Sequence, residues 1–222
     1  MCGRYTLSDP GQLLVDMNVD AHGAVLHPRF NIAPTQDVPV IRQADDGSRH
    51  LSFLRWGLIP FWAKDPSIGN RMINARSETA AEKPSFKHAM KRRRCLVMTD
   101  GFYEWKKVSG GKQPIHIHRP KREPFVFAGL WERWTRGDQP VESCTVLTTS
   151  PSPTVANVHD RMPVILDGDA RDFWLDPSVQ DPSAFEPLLG PYGGALELTP
   201  VSKLVNNPRN DSPECLTPLS AL

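Results

Sequence analysis

Twenty-two prolines are spread along the 222 residues of this chain, and they leave little room for long helices. Proline fixes φ, removes a backbone donor and breaks a helix interior, so it is tolerated mainly at helix starts, in turns and at strand edges. The chain must be built from short elements. Between the prolines, apolar residues alternate or run in short stretches, the pattern of strands. Residues 37–43 and 49–57 flank Asp45-Asp46-Gly47-Ser48, a hairpin signal. Further strands are expected at 73–76, 95–99, 102–108, 115–118, 125–131, 144–149 and 160–166. Short helices are expected at 10–19, at 77–94 with a break at Pro84, at 169–175 and at 183–189. The tail from Thr199 reads as irregular. Strands that neighbour each other in sequence predict one α+β domain over residues 1–222, a mainly antiparallel sheet closing into a barrel-like core with short peripheral helices.

The formal net charge is +1, which excludes a uniformly basic protein, so an anionic partner must be met by a local patch. No apolar run approaches the roughly 20 residues of a membrane span. The start of the chain lacks the basic-then-apolar pattern of a signal peptide. The four cysteines, Cys2, Cys95, Cys144 and Cys215, lie far apart with no metal spacing, which fits a reducing cytoplasm. Cys95 and Cys144 sit in apolar runs and read as inert core residues. His116 and His118 share a strand face but have no Cys or carboxylate at ligand spacing, so no metal and no cofactor are expected. Lys91-Arg92-Arg93-Arg94 reads as a solvated helix end favoured by the helix dipole.

Cys2 stands apart from the other three cysteines. Initiator methionine is normally trimmed when the next side chain is small, so Cys2 is expected to become the terminal residue. An α-amine has a pKa of roughly 7.7–8.0 and a cysteine thiol about 8.5, so both are partly nucleophilic near neutrality. A 1,2-aminothiol of this kind condenses with an aldehyde to an imine, and the thiol then closes a five-membered thiazolidine.

Three other stretches hold a reactive type of residue: Asn74 in Asn-Ala-Arg, Glu104 in Glu-Trp-Lys and His159 in His-Asp-Arg. Like Cys2 in Cys-Gly-Arg, each is followed two positions on by a cation: Arg4, Arg76, Lys106 and Arg161. In extended chain, i and i+2 point to one side. If the reactive residues converge, the cations are expected to converge with them, giving a reactive pocket that attracts an anion. Each residue also has an ordinary explanation: a strand glutamate on a solvated face, a satisfied structural histidine, a turn asparagine, surface ion pairs.

Read together, Met1-Cys2-Gly3-Arg4-Tyr5, Arg29-Phe30-Asn31-Ile32-Ala33-Pro34, Arg55-Trp56-Gly57-Leu58-Ile59-Pro60, Ile73-Asn74-Ala75-Arg76-Ser77-Glu78-Thr79, Gly101-Phe102-Tyr103-Glu104-Trp105 and Val158-His159-Asp160-Arg161-Met162-Pro163 closely resemble the SOS response-associated peptidase family, the abasic-site processing proteins. The resemblance runs in order over essentially the whole chain. It implies a shield for abasic sites in single-stranded DNA, with single-strand/double-strand junctions as a candidate location. Cys2 would capture the ring-opened sugar aldehyde as a thiazolidine DNA–protein crosslink, with Asn74, Glu104 and His159 around it. Release by crosslink reversal or self-proteolysis is part of the same expectation.

The resemblance also implies that Arg4, Arg76 and Arg161 grip phosphates, and that Pro34 and Trp62, with Phe61 and Thr148, contact or wedge bases. Phe61 stands where some relatives carry tryptophan. The expected protein is a cytoplasmic monomer, nucleoid-associated when bound to DNA. Two rivals stay open. Cys2, His159 and Asn74 also compose a cysteine peptidase or N-terminal-nucleophile amidohydrolase, and the chain could be a non-covalent single-stranded DNA-binding module in which Cys2 is incidental.

Overall fold

The computed structural model describes residues 2–219. Met1, whose trimming the Cys2 chemistry requires, lies outside the described residues. In chain order the strands are β1 Tyr5–Leu7, β2 Arg29–Ile32, β3 Asp37–Gln43, β4 Arg49–Trp56, β5 Asn74–Arg76, β6 Arg94–Thr99, β7 Gly101–Val108, β8 Gly111–His118, β9 Phe125–Trp134, β10 Val141–Thr149, β11 Met162–Pro163, β12 Ile165–Leu166 and β13 Glu197–Pro200. The helices are α1 Gly11–Asp16, α2 Ser77–Ala80, α3 Lys87–Arg92, α4 Pro153–Ala156 and α5 Asp169–Leu175, with short 3-10 turns elsewhere. Elements are short, as the prolines require.

One sheet has the order β13-β8-β7-β1-β2 and is antiparallel throughout. The other closes on itself. β3 pairs with β4 and β6, β6 with β9, β9 with β10, and β10 with β4, making a five-stranded barrel. Closure removes the exposed edges that an open sheet would leave. β6 is buried along its whole length, as expected of a strand covered on both faces. The barrel is not purely antiparallel: β10 runs parallel to β4, with Ser143 opposite Arg55, and parallel to β5, with Val146 opposite Asn74. Period-two patterning reports which face is buried, not strand direction, so nothing in the pattern announced this seam.

The two sheets share a core. The Tyr5 ring meets Trp56 edge-on at 5.2 Å and Phe127 at 6.0 Å, and Phe102 meets Phe127 at 5.9 Å. The crossing point between sheets is Asp100, between β6 and β7. Its buried carboxylate accepts bonds from the Thr6 hydroxyl, the Ser8 amide, the Ser8 hydroxyl at 2.6 Å and the Asp9 amide at 3.1 Å. The next residue must be glycine, because a Cβ on Gly101 would lie 2.2 Å from His116 Nε2.

Several expectations need correction. The expected strand at 160–166 is two short ones, β11 and β12, split at Val164. β13 lies at the start of the tail read as irregular. Arg94 is not part of a solvated helix end. It is buried and opens β6. Its guanidinium donates to the carbonyls of Met90, Lys91, Trp174, Asp176 and Val179. One side chain thus satisfies the last carbonyls of both α3 and α5, groups a helix leaves without internal partners. Its neighbour Arg93 is paired with the buried Glu132. Among the described residues no helix is long and apolar enough to cross a membrane.

Candidate functional site

Cys2 is fully buried just ahead of β1, and its thiol points to the Arg4 carbonyl at 3.7 Å. Burial, and next the nearby Glu104 carboxylate, push the Cys2 thiol far above its ordinary range. The thiol is therefore un-ionised at rest. Asn74, the first residue of β5, donates its side-chain amide to the Cys2 carbonyl at 2.7 Å. The contact is to the backbone of Cys2, not to its thiol. Asn74 holds the reactive residue by its peptide group, as a non-titrating anchor does.

Glu104 lies on β7, where side chains alternate. Tyr103 turns to the far face, its hydroxyl donating to the Phe30 carbonyl at 2.7 Å, and Trp105 follows it, its ring N–H bonding Asn206 Oδ1 at 2.8 Å. Phe102 and Glu104 turn the other way, towards the shared core and Cys2. A charged side chain at such a position is driven towards its neutral form. Burial raises Glu104 from an ordinary 4.5 to about 7, with Asp160 adding to the rise. A carboxyl poised there gives and takes protons at physiological pH.

His159 comes from the loop between α4 and β11. Its Nε2 faces Glu104 Oε2 at 3.7 Å. Its Nδ1 accepts the Arg161 amide at 3.0 Å and lies 2.9 Å from Asp160 Oδ1. Burial lowers its pKa, so the ring is neutral near pH 7. The structure thus brings together Cys2, Asn74, Glu104 and His159 from four distant parts of the chain. Among the described residues no group of three or more His, Cys, Asp or Glu is placed to hold a metal ion.

A sequence model of the SOS response associated peptidase (SRAP) family matches residues 1–208. The chain is 44% identical over 223 residues to the abasic site processing protein YoqW of Bacillus subtilis, covering 97% of this chain and 99% of that protein. It is 37% identical over 224 residues to the abasic site processing protein HMCES of Gallus gallus, covering 86% of this chain and 66% of that longer protein. The chain belongs to the SRAP family. A crystal structure of a Bacteroides thetaiotaomicron protein superposes with a TM-score of 0.87 at 23% identity, over 98% of this chain and 100% of that one, which shows the shared fold.

The cations that the SRAP resemblance assigns to phosphates are placed unequally. Arg4 is half-buried, donating to Asn31 Oδ1 at 2.9 Å and the Val205 carbonyl at 2.8 Å. Arg161 is bound bidentately by Glu78, at 2.6 and 2.8 Å, and also donates to the Thr148 carbonyl at 2.6 Å. Arg76 and Lys106 are exposed. Arg76 and Arg161 both act on the Glu78 carboxylate. Only Asn74–Arg76 and Glu104–Lys106 lie in strands, where the i, i+2 rule holds. Cys2–Arg4 precedes β1, and His159–Arg161 is loop.

Of the residues the resemblance sets against bases, Phe61 and Trp62 are 46% and 40% exposed on one loop. The Phe61 ring meets His88 at 5.5 Å, tilted by 56°, and the Trp62 ring N–H bonds the Pro84 carbonyl at 3.4 Å. Pro34 is partly exposed just before β3. Thr148 is fully buried, its hydroxyl donating to the Ala75 carbonyl at 3.4 Å. It offers no surface to a base in this conformation, because β10 is paired on both sides there. The loop carrying Phe61 and Trp62 is anchored by a close approach of Gly57 and Gly69. A Cβ on either would fall 2.6 Å from the other's carbonyl oxygen, and Gly57 has φ of +133°.

Proposed function

We propose that this protein processes abasic sites in single-stranded DNA by covalent capture through Cys2. The observation that carries the reading is the meeting of Cys2, held by Asn74, with a buried carboxyl poised near pH 7 and a neutral imidazole. Once Met1 is trimmed, the freed amine of Cys2 attacks the ring-opened sugar aldehyde and gives a carbinolamine. Glu104 protonates the departing hydroxyl, water leaves, and the imine forms. The thiol then adds to the imine carbon, and its proton ends on the ring nitrogen. The net reaction joins aldehyde and aminothiol and releases one water.

The order of steps follows from the thiol. A protonated, buried thiol is a poor first nucleophile, so the amine reacts first and sulfur second, when an electrophilic imine lies beside it. The same property weighs against a cysteine peptidase, which needs a thiolate stabilised by its surroundings. Arg76, exposed at the end of β5, is the cation best presented to a phosphate, with Phe61 and Trp62 as stacking surfaces. Arg4 and Arg161 can join it only by exchanging their present partners. Base identity at the lesion has little influence, since an abasic nucleotide has no base edge to read.

The test is incubation of trimmed protein with single-stranded DNA made abasic by uracil removal, followed by heat, detergent and electrophoresis. A slow-migrating band is expected from wild type and none from Cys2→Ala. Absence of the band with wild type of verified N-terminus overturns covalent capture. A band that survives in Cys2→Ala removes Cys2 as its origin.

A further inference from the structure

We infer that Glu78 is a positioning residue for His159: by locking Arg161, it fixes the imidazole as the tautomer that carries its proton on Nε2, the nitrogen facing Glu104. The inference rests on the proposed capture chemistry for its consequence, but not for its geometry.

β5 runs without a break into α2, so Asn74 and Glu78 are four residues apart on one segment. Asn74 holds Cys2. Glu78 holds the other side of the site. Its two carboxylate oxygens take both Nη groups of Arg161, at 2.6 and 2.8 Å, and the Thr148 carbonyl on β10 takes a third bond at 2.6 Å. A planar guanidinium fixed at three points between two elements has little freedom left. Arg161 is therefore held as a whole residue, and its backbone N–H is aimed at His159 Nδ1 at 3.0 Å.

A ring nitrogen that accepts a hydrogen bond cannot carry the proton, so the neutral ring must carry it on Nε2. One neighbour pulls the other way. Asp160 Oδ1 lies 2.9 Å from the same Nδ1 and would favour a proton there. Both contacts cannot hold in the neutral ring. Asp160 is 89% exposed at its side chain and can turn to water, whereas Arg161 is tied by three bonds. The charged groups around the imidazole include Glu104 from β7, Lys112 from β8, and Asp160 and Arg161 from its own loop. Through Arg161, Glu78 favours the Nε2–H tautomer over the one Asp160 would favour.

The chemical consequence concerns the moment after Glu104 has given its proton to the departing hydroxyl. The carboxylate is then charged and buried. A donor at Nε2 stabilises it as the 3.7 Å gap closes. The opposite tautomer would present a lone pair to that charge.

The experiment reads the tautomer directly. Protein labelled with ¹⁵N-histidine is examined by long-range ¹H–¹⁵N correlation, with His159 assigned by its loss in His159→Gln. Wild type is expected to show a protonated Nε2 and a bare Nδ1. A protonated Nδ1 in wild type overturns the inference without any variant. Glu78→Gln, which keeps size but loses the ion pair, is expected to give a mixture of tautomers and crosslink formation slowed on the order of tenfold, a fraction of the roughly 10²–10⁴ that a positioned acid–base group contributes. Glu78→Asp is expected to restore most of the Nε2–H form. Glu78 is half-exposed, so these changes leave the melting temperature close to wild type. An unchanged tautomer in Glu78→Gln overturns the role of Glu78. If wild type forms no crosslink yet shows the tautomer and its loss in Glu78→Gln, the capture chemistry fails while the positioning role stands.

Discussion

Two buried carboxyls sit four residues apart, and they illustrate opposite uses of burial. Asp100 stands at the crossing between the sheets and receives four donors from residues 6 to 9. Glu104 stands four residues further on, within β7, beside Cys2, and faces the His159 ring at 3.7 Å. At Asp100 the hydroxyl and amide donors tie residues 6 to 9 to the crossing between the sheets, a structural staple. A carboxyl for which burial dominates is held at about 7 and is a proton carrier. Burial alone does not separate the two, since both are almost inaccessible.

The comparison can be broken most sharply at Asp100. Asp100→Ala removes the staple and takes away the acceptor shared by the Ser8 and Asp9 donors, so a loss of about 3 kcal/mol is expected, read by chemical denaturation. The crosslinking rate per folded molecule should stay near wild type. A rate collapse with intact stability would reverse the assignment. Next in size is Glu104→Gln, which should slow crosslink formation on the order of 10²-fold in a quenched time course. An unchanged rate removes Glu104 from the chemistry.

The same variant carries a stability signature of opposite sign. Below pH 4.5 Glu104 is protonated in both folded and unfolded chain. Between 4.5 and about 7 the unfolded chain releases its proton while the folded chain keeps it, so wild-type stability falls as pH rises, and above that window the loss is constant. Its full size is on the order of 3 kcal/mol. Glu104→Gln has no proton to lose, so its advantage over wild type should grow from pH 5 to pH 8. Parallel pH profiles would show that burial does not hold the proton. The smallest effect is at the surface. Arg76→Ala should weaken binding to single-stranded DNA about tenfold and lower the salt slope by about one, measured by anisotropy across a salt series.

Much of this was legible in the chain. The hairpin around Asp45–Ser48, the break at Pro84 and the strands from Cys95 to Thr149 follow from local rules, because turn chemistry and period-two burial act over a few residues. Asn74, Glu104 and His159 could be picked out as reactive types. What failed was long-range. Strand direction at the β10 seam leaves no trace in alternation. β13 is hidden by a terminal Pro200 in a short segment. Arg94 reads like its exposed neighbours, and only the carbonyls of α3 and α5 explain its burial. The i, i+2 rule does not apply to Arg4 and Arg161, whose stretches lie outside the strands. Glu78 was visible in the Asn-Ala-Arg-Ser-Glu stretch but had no role until Arg161 was seen to need a partner.

The parallel seam has a consequence in time. Arg55 pairs with Ser143 and Asn74 with Val146, so the barrel cannot close on a nascent chain until β10 has been made, and His159 follows later still. Until then the start of the chain has no finished site to enter. In the folded protein Cys2 is fully buried. On the proposed mechanism, a chain that keeps Met1 has an amide where the reactive amine is needed, and is a folded but chemically silent copy.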